Sequence, residues 1–190
     1  MTDADHYYTY LRNRSPLGHA YRRYWLYPRL TQRLRGLTLD IGCGIGDLLK
    51  FRPGTLGVDI NPHTVQFCKS RGLDARVMIQ DKLPFPDRHF DTVLLDNVLE
   101  HITHPSHLLA EIHRVLKSGG TLVVGVPGRR GWDADLDHKV EYNEPDLIGC
   151  MRQANFRHIE SFYTPFFRSD WLSKKMRQYC IYGAFSVQNK

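Results

Sequence analysis

The sequence predicts an α/β protein: a doubly wound, mostly parallel sheet of about seven strands with helices on both faces and an N-terminal helical cap. Three observations carry this. Short, nearly continuous apolar runs recur from residue 37 onward, as expected of strands buried on both faces. Stretches of helical periodicity separate the runs, and a glycine cluster sits where the first run gives way to the first helix.

In chain order, residues 6–35 are rich in Tyr, Arg and Leu, with Leu26, Leu30 and Leu34 at four-residue spacing. One or two helices are expected there, interrupted near Pro16-Leu-Gly18 and at Pro28, because proline lacks the N–H that a helix interior needs. The strand candidates follow as Leu37–Ile41, Leu56–Asp59, Arg76–Ile79, Thr92–Leu95 and Thr121–Val126. Pro62 opens a helix over Thr64–Arg71 that Gly72 closes. Leu108, Leu109, Ile112, Val115 and Leu116 fall on one helical face, with Pro105 in the first turn and Gly119-Gly120 as the expected end. Residues 127–143, with Pro127, Gly128, Gly131 and three aspartates, read as a loop. Glu144–Ala154 reads as a helix, and Phe156–Tyr163 and Ile181–Val187 as closing strands. Alternating strand and helix implies right-handed βαβ units, with ligands beyond the carboxyl ends of the strands.

At 190 residues and 42% hydrophobic, the chain suits a single globular unit, with a cap over residues 1–36 and the main domain over 37–190. No apolar run has the length of a membrane span, and the start, Met-Thr-Asp-Ala-Asp-His, does not read as a secretory signal. Cys43, Cys68, Cys150 and Cys180 form no C-x-x-C pair, so a reducing, cytoplasmic setting is expected. The net charge of +6 is unevenly placed: residues 1–36 and 151–190 each carry +5 and residues 37–150 carry −4. An acidic body suits a cationic ligand, while basic ends suit an acidic partner or are plain solvated faces.

The strongest local signal is Leu39-Asp40-Ile41-Gly42-Cys43-Gly44-Ile45-Gly46-Asp47. Its glycines let the backbone turn tightly and let a ligand approach closely. A nicotinamide dinucleotide site needs the third glycine at position 47, where Asp47 stands, and the Gly-Lys-Ser/Thr ending of a phosphate loop is absent. Asp40 would repel a pyrophosphate. Asp59, at the end of the second run, can accept two hydrogen bonds from a ribose diol. The set describes a nucleoside with a zwitterionic tail and no phosphate, which S-adenosyl-L-methionine fits.

LDIGCGIGDLL, GVDINP, LPFPDRHFDTVLLDNVLEHI and EIHRVLKSGGTLVVGVP, in this order and spacing, resemble the class I S-adenosylmethionine-dependent methyltransferases, particularly the small-molecule group similar to the ubiquinone-biosynthesis enzymes. The resemblance implies a Rossmann-like fold. It places Asp40, Gly42, Cys43 and Gly44 along the methionine part of the cofactor, Asp59 on the ribose and Ile60 against the adenine. Asp81 or Gln80 would meet the adenine amine, and Asn97 would face the cofactor near the transferred methyl.

For an oxygen acceptor the residues offer two candidate bases. His101 follows Glu100 in the Val-Leu-Glu-His-Ile element, with a packing or helix-cap role as the alternative. His138 lies beyond the fifth run, on the expected substrate side. Asp133, Asp135, Asp137 and Glu144 have the spacing of calcium-loop ligands, but His138 stands where such a loop requires glycine, so no metal is assigned. The expected reaction is O-methylation of a small-molecule or glycan-like substrate. An acidic glycan or lipid intermediate suits the basic, aromatic ends, which would also suit a membrane surface. The alternatives are an RNA or protein methyltransferase and a noncatalytic S-adenosylmethionine-binding partner protein. Nucleic acid is disfavoured because Asp96-Asn-Val-Leu99 stands where an Asn/Asp-Pro-Pro-Tyr/Phe motif would.

Overall fold

The computed structural model describes residues 15–188, so residues 1–14 of the expected cap lie outside it. Its strands are β1 (Thr38–Ile41), β2 (Thr55–Asp59), β3 (Ala75–Val77), β4 (Phe90–Asp96), β5 (Leu116–Pro127), β6 (Phe156–Thr164) and β7 (Cys180–Val187). They form one sheet in the order β3-β2-β1-β4-β5-β7-β6. Pairings from β3 through β5 are parallel. β7 runs antiparallel to both β5 and β6. The chain steps outward from β1 to β3 and then returns to start again at β4, so the crevice between β1 and β4 is the switch point where such sheets bind ligands.

The central strands are apolar throughout because both faces are covered. Leu39, Val93, Leu95, Leu122 and Val124 are fully buried, each stabilising the fold by about 1.5–3 kcal/mol relative to exposure. On one face lie α5 (Ser106–Val115) and α7 (Glu144–Gln153), which contribute Leu108, Leu109, Ile112, Val115, Leu147 and Met151. On the other, Leu26, Leu30 and Leu34 pack with Leu48, Leu94, Val123 and Tyr182, so the leucine spacing does mark a buried face. α3 (Asp47–Phe51) and α4 (Pro62–Ser70) enclose a smaller cluster of Cys43, Leu49, Val65, Cys68 and Ala75.

Three local expectations are corrected. Pro28 does not interrupt the helix it lies in, whereas Pro16 stands at a helix start, after extended backbone at Ser15. That start is capped by Ser15 Oγ accepting from Gly18 N–H. The chain then passes from α1 (Pro16–Tyr21) through a π-helical turn (Arg22–Leu26) into α2 (Tyr27–Thr31). In that turn Tyr27 N–H donates to the carbonyl of Arg22, five residues back, just before Pro28, which has no N–H to place. Gly119-Gly120 do not end a helix: α5 stops at Val115, and the two glycines loop out within β5, where the register with β4 jumps from Phe90↔Leu116 to Thr92↔Thr121. Gly119 takes φ +73°, and a Cβ on Gly120 would lie 2.9 Å from the carbonyl of Lys117. Finally, residues 127–143 are not all loop. They include one helical turn, α6 (Arg129–Trp132), held where Gly128 N–H donates to Tyr179 O at 2.7 Å and Arg129 N–H to Ser173 Oγ at 2.9 Å.

Candidate active site

The glycine loop leaves β1 with left-handed backbone at Gly42 (φ +73°), Gly44 (φ +53°) and Gly46 (φ +77°), a region L side chains rarely adopt. A Cβ at Gly42 would meet Val98 Cγ2 at 2.5 Å. The loop is held from β2: the N–H groups of Gly42 and Cys43 donate to Val58 O at 2.8 and 3.0 Å. Asp59 completes the support, accepting from Gly44 N–H through Oδ2 and from Asn61 N–H through Oδ1, both at 2.8 Å. Burial raises the Asp59 carboxyl above its ordinary value, and these two N–H groups act against that rise. The Thr64 side chain adds a third hydrogen bond, and the acceptor capacity left over is available to a ribose hydroxyl.

β4 supplies the opposite wall. Tyr182 O–H from β7 and Asn97 Nδ2 both donate to Asp96 Oδ1, at 2.8 and 2.9 Å. Gly125 makes room for this, since a Cβ there would overlap the Tyr182 ring. Asn97 sits at φ +54°, which asparagine tolerates better than most residues. From the N-terminal helix, the π turn sets Arg22 and Tyr27 on one side, five residues apart, where their side chains hydrogen-bond. Burial alone would depress the Arg22 guanidinium; Tyr27 and Asp96 outweigh it and hold the charge on.

These walls enclose a cavity of about 510 Å³. Asp40, Gly42, Cys43, Gly44 and Asn97 line it, as do both candidate bases, His101 and His138. Asp59, Ile60 and Asp81 stand outside its lining. Ile60 follows Asp59 with its apolar side chain 68% exposed, an open face beside the carboxylate. Gln80 and Asp81 form a turn just past β3, closed by Lys82 N–H donating to Ile79 O at 2.9 Å, with Asp81 at φ +57°. The calcium-spaced acids are not gathered: Asp133 pairs with Arg129 and Glu144 with Arg168. A larger hollow of about 1430 Å³ between α5 and α7 contains none of these candidates.

Among the lining residues that sequence reasoning missed are Arg22, Tyr27, Asp96 and Glu100. Asp96 had a signal, an acid at the carboxyl end of the fourth apolar run; the others depend on a helix phase and on burial that only the folded chain fixes. Glu100 is completely buried, and neither carboxylate oxygen has a hydrogen-bond partner. Burial, reinforced by Asp96 and Asp135, pushes its carboxyl up to about 8. His138 Nδ1 lies 2.8 Å from the carbonyl of Trp132, and its Nε2 is 3.8 Å from Glu100 Oε1. The His101 ring stands 4.7 Å from that of His138, and burial followed by this neighbour lowers its proton affinity.

Acids along the crevice suit a sulfonium, and the glycine loop with Asp59 beneath it suits a nucleoside, so the residues fit S-adenosylmethionine. Residues 39–124 match the methyltransferase domain family model. Over that segment the chain is similar to the S-adenosylmethionine-dependent methyltransferases. A Mycolicibacterium smegmatis protein described as an S-adenosylmethionine-dependent methyltransferase is 32% identical, over 73% of this chain and 62% of its own length. The ubiquinone/menaquinone biosynthesis C-methyltransferase of Burkholderia mallei is 37% identical, over 47% of this chain and 42% of its own. The chain thus spans less than two thirds of each of these relatives. An S-adenosylmethionine-dependent methyltransferase structure from Thermotoga maritima superposes with a TM-score of 0.77 over 99% of this chain and all of that one; at 18% identity it speaks to the fold alone.

Proposed function

We propose that this methyltransferase moves the methyl group of S-adenosylmethionine to an oxygen of a small-molecule or glycan-like acceptor. One observation carries the reading: a single cavity is lined at one side by the glycine loop and Asp40 and at the other by His101 and His138. Methyl transfer from a sulfonium is an in-line displacement in which the acceptor oxygen's lone pair forms the new O–C bond while the S–C electrons return to sulfur. The oxygen must also lose its proton. With Nδ1–H committed to Trp132 O, His138 has its lone pair on Nε2, on the side of Glu100, and can take that proton. Alignment itself can supply about 7–11 kcal/mol of the barrier. The acidic substrate expectation is supported by Arg22 and Arg177 in the lining. No helix among the described residues is long and apolar enough to cross a membrane, so contact with a lipid-borne acceptor would be at its surface.

The test is release of S-adenosylhomocysteine by the isolated chain across phosphorylated sugars, lipid-linked glycans, hydroxylated aromatics and RNA, with the methylated atom located by mass spectrometry and NMR. An O-methylated small product, with turnover lowered in His138→Ala and cofactor affinity retained, supports the reading. A product methylated on carbon or nitrogen, or full turnover in both His138→Ala and His101→Ala, overturns it.

A further inference from the structure

Glu100, His101 and His138 pose an electrostatic problem beyond positioning an acceptor. One ligand-bearing atom from each lies within 4.8 Å of the others, and Glu100 Oε1 is 3.8 Å from His138 Nε2. Both imidazoles turn Nδ1 toward a backbone carbonyl, His101 toward Asp137 O at 3.3 Å and His138 toward Trp132 O at 2.8 Å. A carbonyl only accepts, so Nδ1 carries the proton in each ring and each Nε2 is left with a lone pair. The Glu100 carboxylate is fully buried and receives no donor at either oxygen. Three groups that can each offer a lone pair therefore converge, Glu100 once its carboxyl has given up its proton. A shared proton joins two of the three. A cation can join all of them.

We propose that Glu100, His101 and His138 hold a divalent first-row transition cation, of the Mn²⁺ to Zn²⁺ group, with open coordination positions facing the cavity. Two imidazoles and a carboxylate suit these metals, whereas Mg²⁺ and Ca²⁺ prefer oxygen throughout. The backbone carbonyls behind the rings are the outer partners that fix the tautomer and orientation of metal-bound histidine. Metal–ligand lengths of about 2.0–2.2 Å put tetrahedral ligands about 3.4 Å apart, so the present atoms, within 4.8 Å of one another, must close in around the ion. Asp96 and Asp135, in the same lining, add negative potential.

The inference rests on the oxygen-methylation reading only for what occupies the open positions. It narrows the acceptor to a hydroxyl with a second oxygen beside it, such as a vicinal diol, a catechol or a 2-hydroxy acid, able to chelate the cation. Coordination lowers the hydroxyl pKa, its proton leaves to solvent water, and the bound alkoxide attacks the methyl. His138 then serves as a ligand, and the cation does the work of the base.

The experiment separates the site from the reaction. The full chain, stripped with EDTA and dialysed, is titrated with ZnCl₂ and with MnCl₂ by calorimetry, and with CoCl₂ by visible spectroscopy, with no acceptor present. One equivalent should bind, with Co²⁺ d–d bands showing nitrogen ligation. Glu100→Gln and His138→Ala should each weaken binding by about 100-fold, while exposed His104→Ala changes nothing. S-adenosylhomocysteine affinity in each variant confirms that the fold is intact. Absence of stoichiometric binding, or binding equal in Glu100→Gln and wild type, overturns the site. If the cation binds as described but EDTA leaves methyl transfer to a chelating acceptor undiminished, its role with the acceptor is overturned while the O-methylation reading stands.

Discussion

Replacing Asp59 by Asn tests the cofactor site at its most connected residue. The carboxylate is 3% exposed and accepts two backbone N–H groups at 2.8 Å, one from the glycine loop and one from the turn into α4. An amide retains one acceptor oxygen and points an NH₂ at the other N–H. A hydrogen bond to a charged group contributes about 1.5–3 kcal/mol, so the exchange should cost the fold about 2–3 kcal/mol. The ribose diol loses a partner of the same kind. A further 1.5–3 kcal/mol, at about 1.4 kcal/mol per decade, weakens S-adenosylmethionine binding roughly 10–100-fold. Titration calorimetry with S-adenosylmethionine and S-adenosylhomocysteine, beside urea unfolding without ligand, reads both costs separately. A lowered unfolding midpoint with cofactor affinity held within about threefold of wild type would make Asp59 a loop support only and refute its place on the ribose.

Leu30→Ala, which empties a fully buried position under the N-terminal helix, should cost about 2–5 kcal/mol by urea unfolding; a change below 1 kcal/mol would mean that this helix is not part of the cooperative unit. Gly125→Ala pushes a methyl into the Tyr182 ring and to 2.8 Å from Asp96 Oδ1, so thermal stability and cofactor affinity should fall together, by about 1–3 kcal/mol in stability. An unaltered melting temperature would show that β7 shifts freely. Asp91 is held below the usual carboxylate range by Lys117 and then by the N–H of Leu37. A depressed carboxyl contributes stability above its unfolded value near pH 4 and loses it as pH falls through the lower folded value. The deficit of Asp91→Asn in urea should thus be complete at pH 6 and shrink below about pH 4; a deficit constant with pH contradicts the assignment.

The parallel strands were legible because burial on both faces leaves little room for polar alternation, so β1, β2 and β4 read as nearly continuous apolar runs over Leu37–Ile41, Leu56–Asp59 and Thr92–Leu95. Leu26, Leu30 and Leu34 were legible for the same reason, all three packing into the cluster on one face of the sheet, with Leu34 just past the helix end. Pro28 misled because its missing N–H is absorbed by a wider turn, which depends on how the helix lies on the sheet rather than on local preference. Gly119-Gly120 misled because two glycines signal a bulge within a strand as readily as a helix end. At the site, the glycine loop lies in one stretch of chain and could be read there. The Glu100 group could not: it depends on Lys139 and Val140 N–H both donating to Glu100 O, which draws His138 beside it across 38 positions of sequence.

The π turn at Arg22–Leu26 fixes more than the pairing of Arg22 with Tyr27. One added residue per turn advances helix phase by about 100°. Residues 15–20 are therefore turned by that angle from where an unbroken α-helix would carry them, while Leu26 and Leu30 keep their seat on the sheet. Deleting one residue there would rotate the face that Gly18 and Tyr21 present to the cavity, with Tyr21 shifting on the cluster it packs against. Selection for a different acceptor can thus act through helix phase, one residue at a time, without touching a side chain in the sheet.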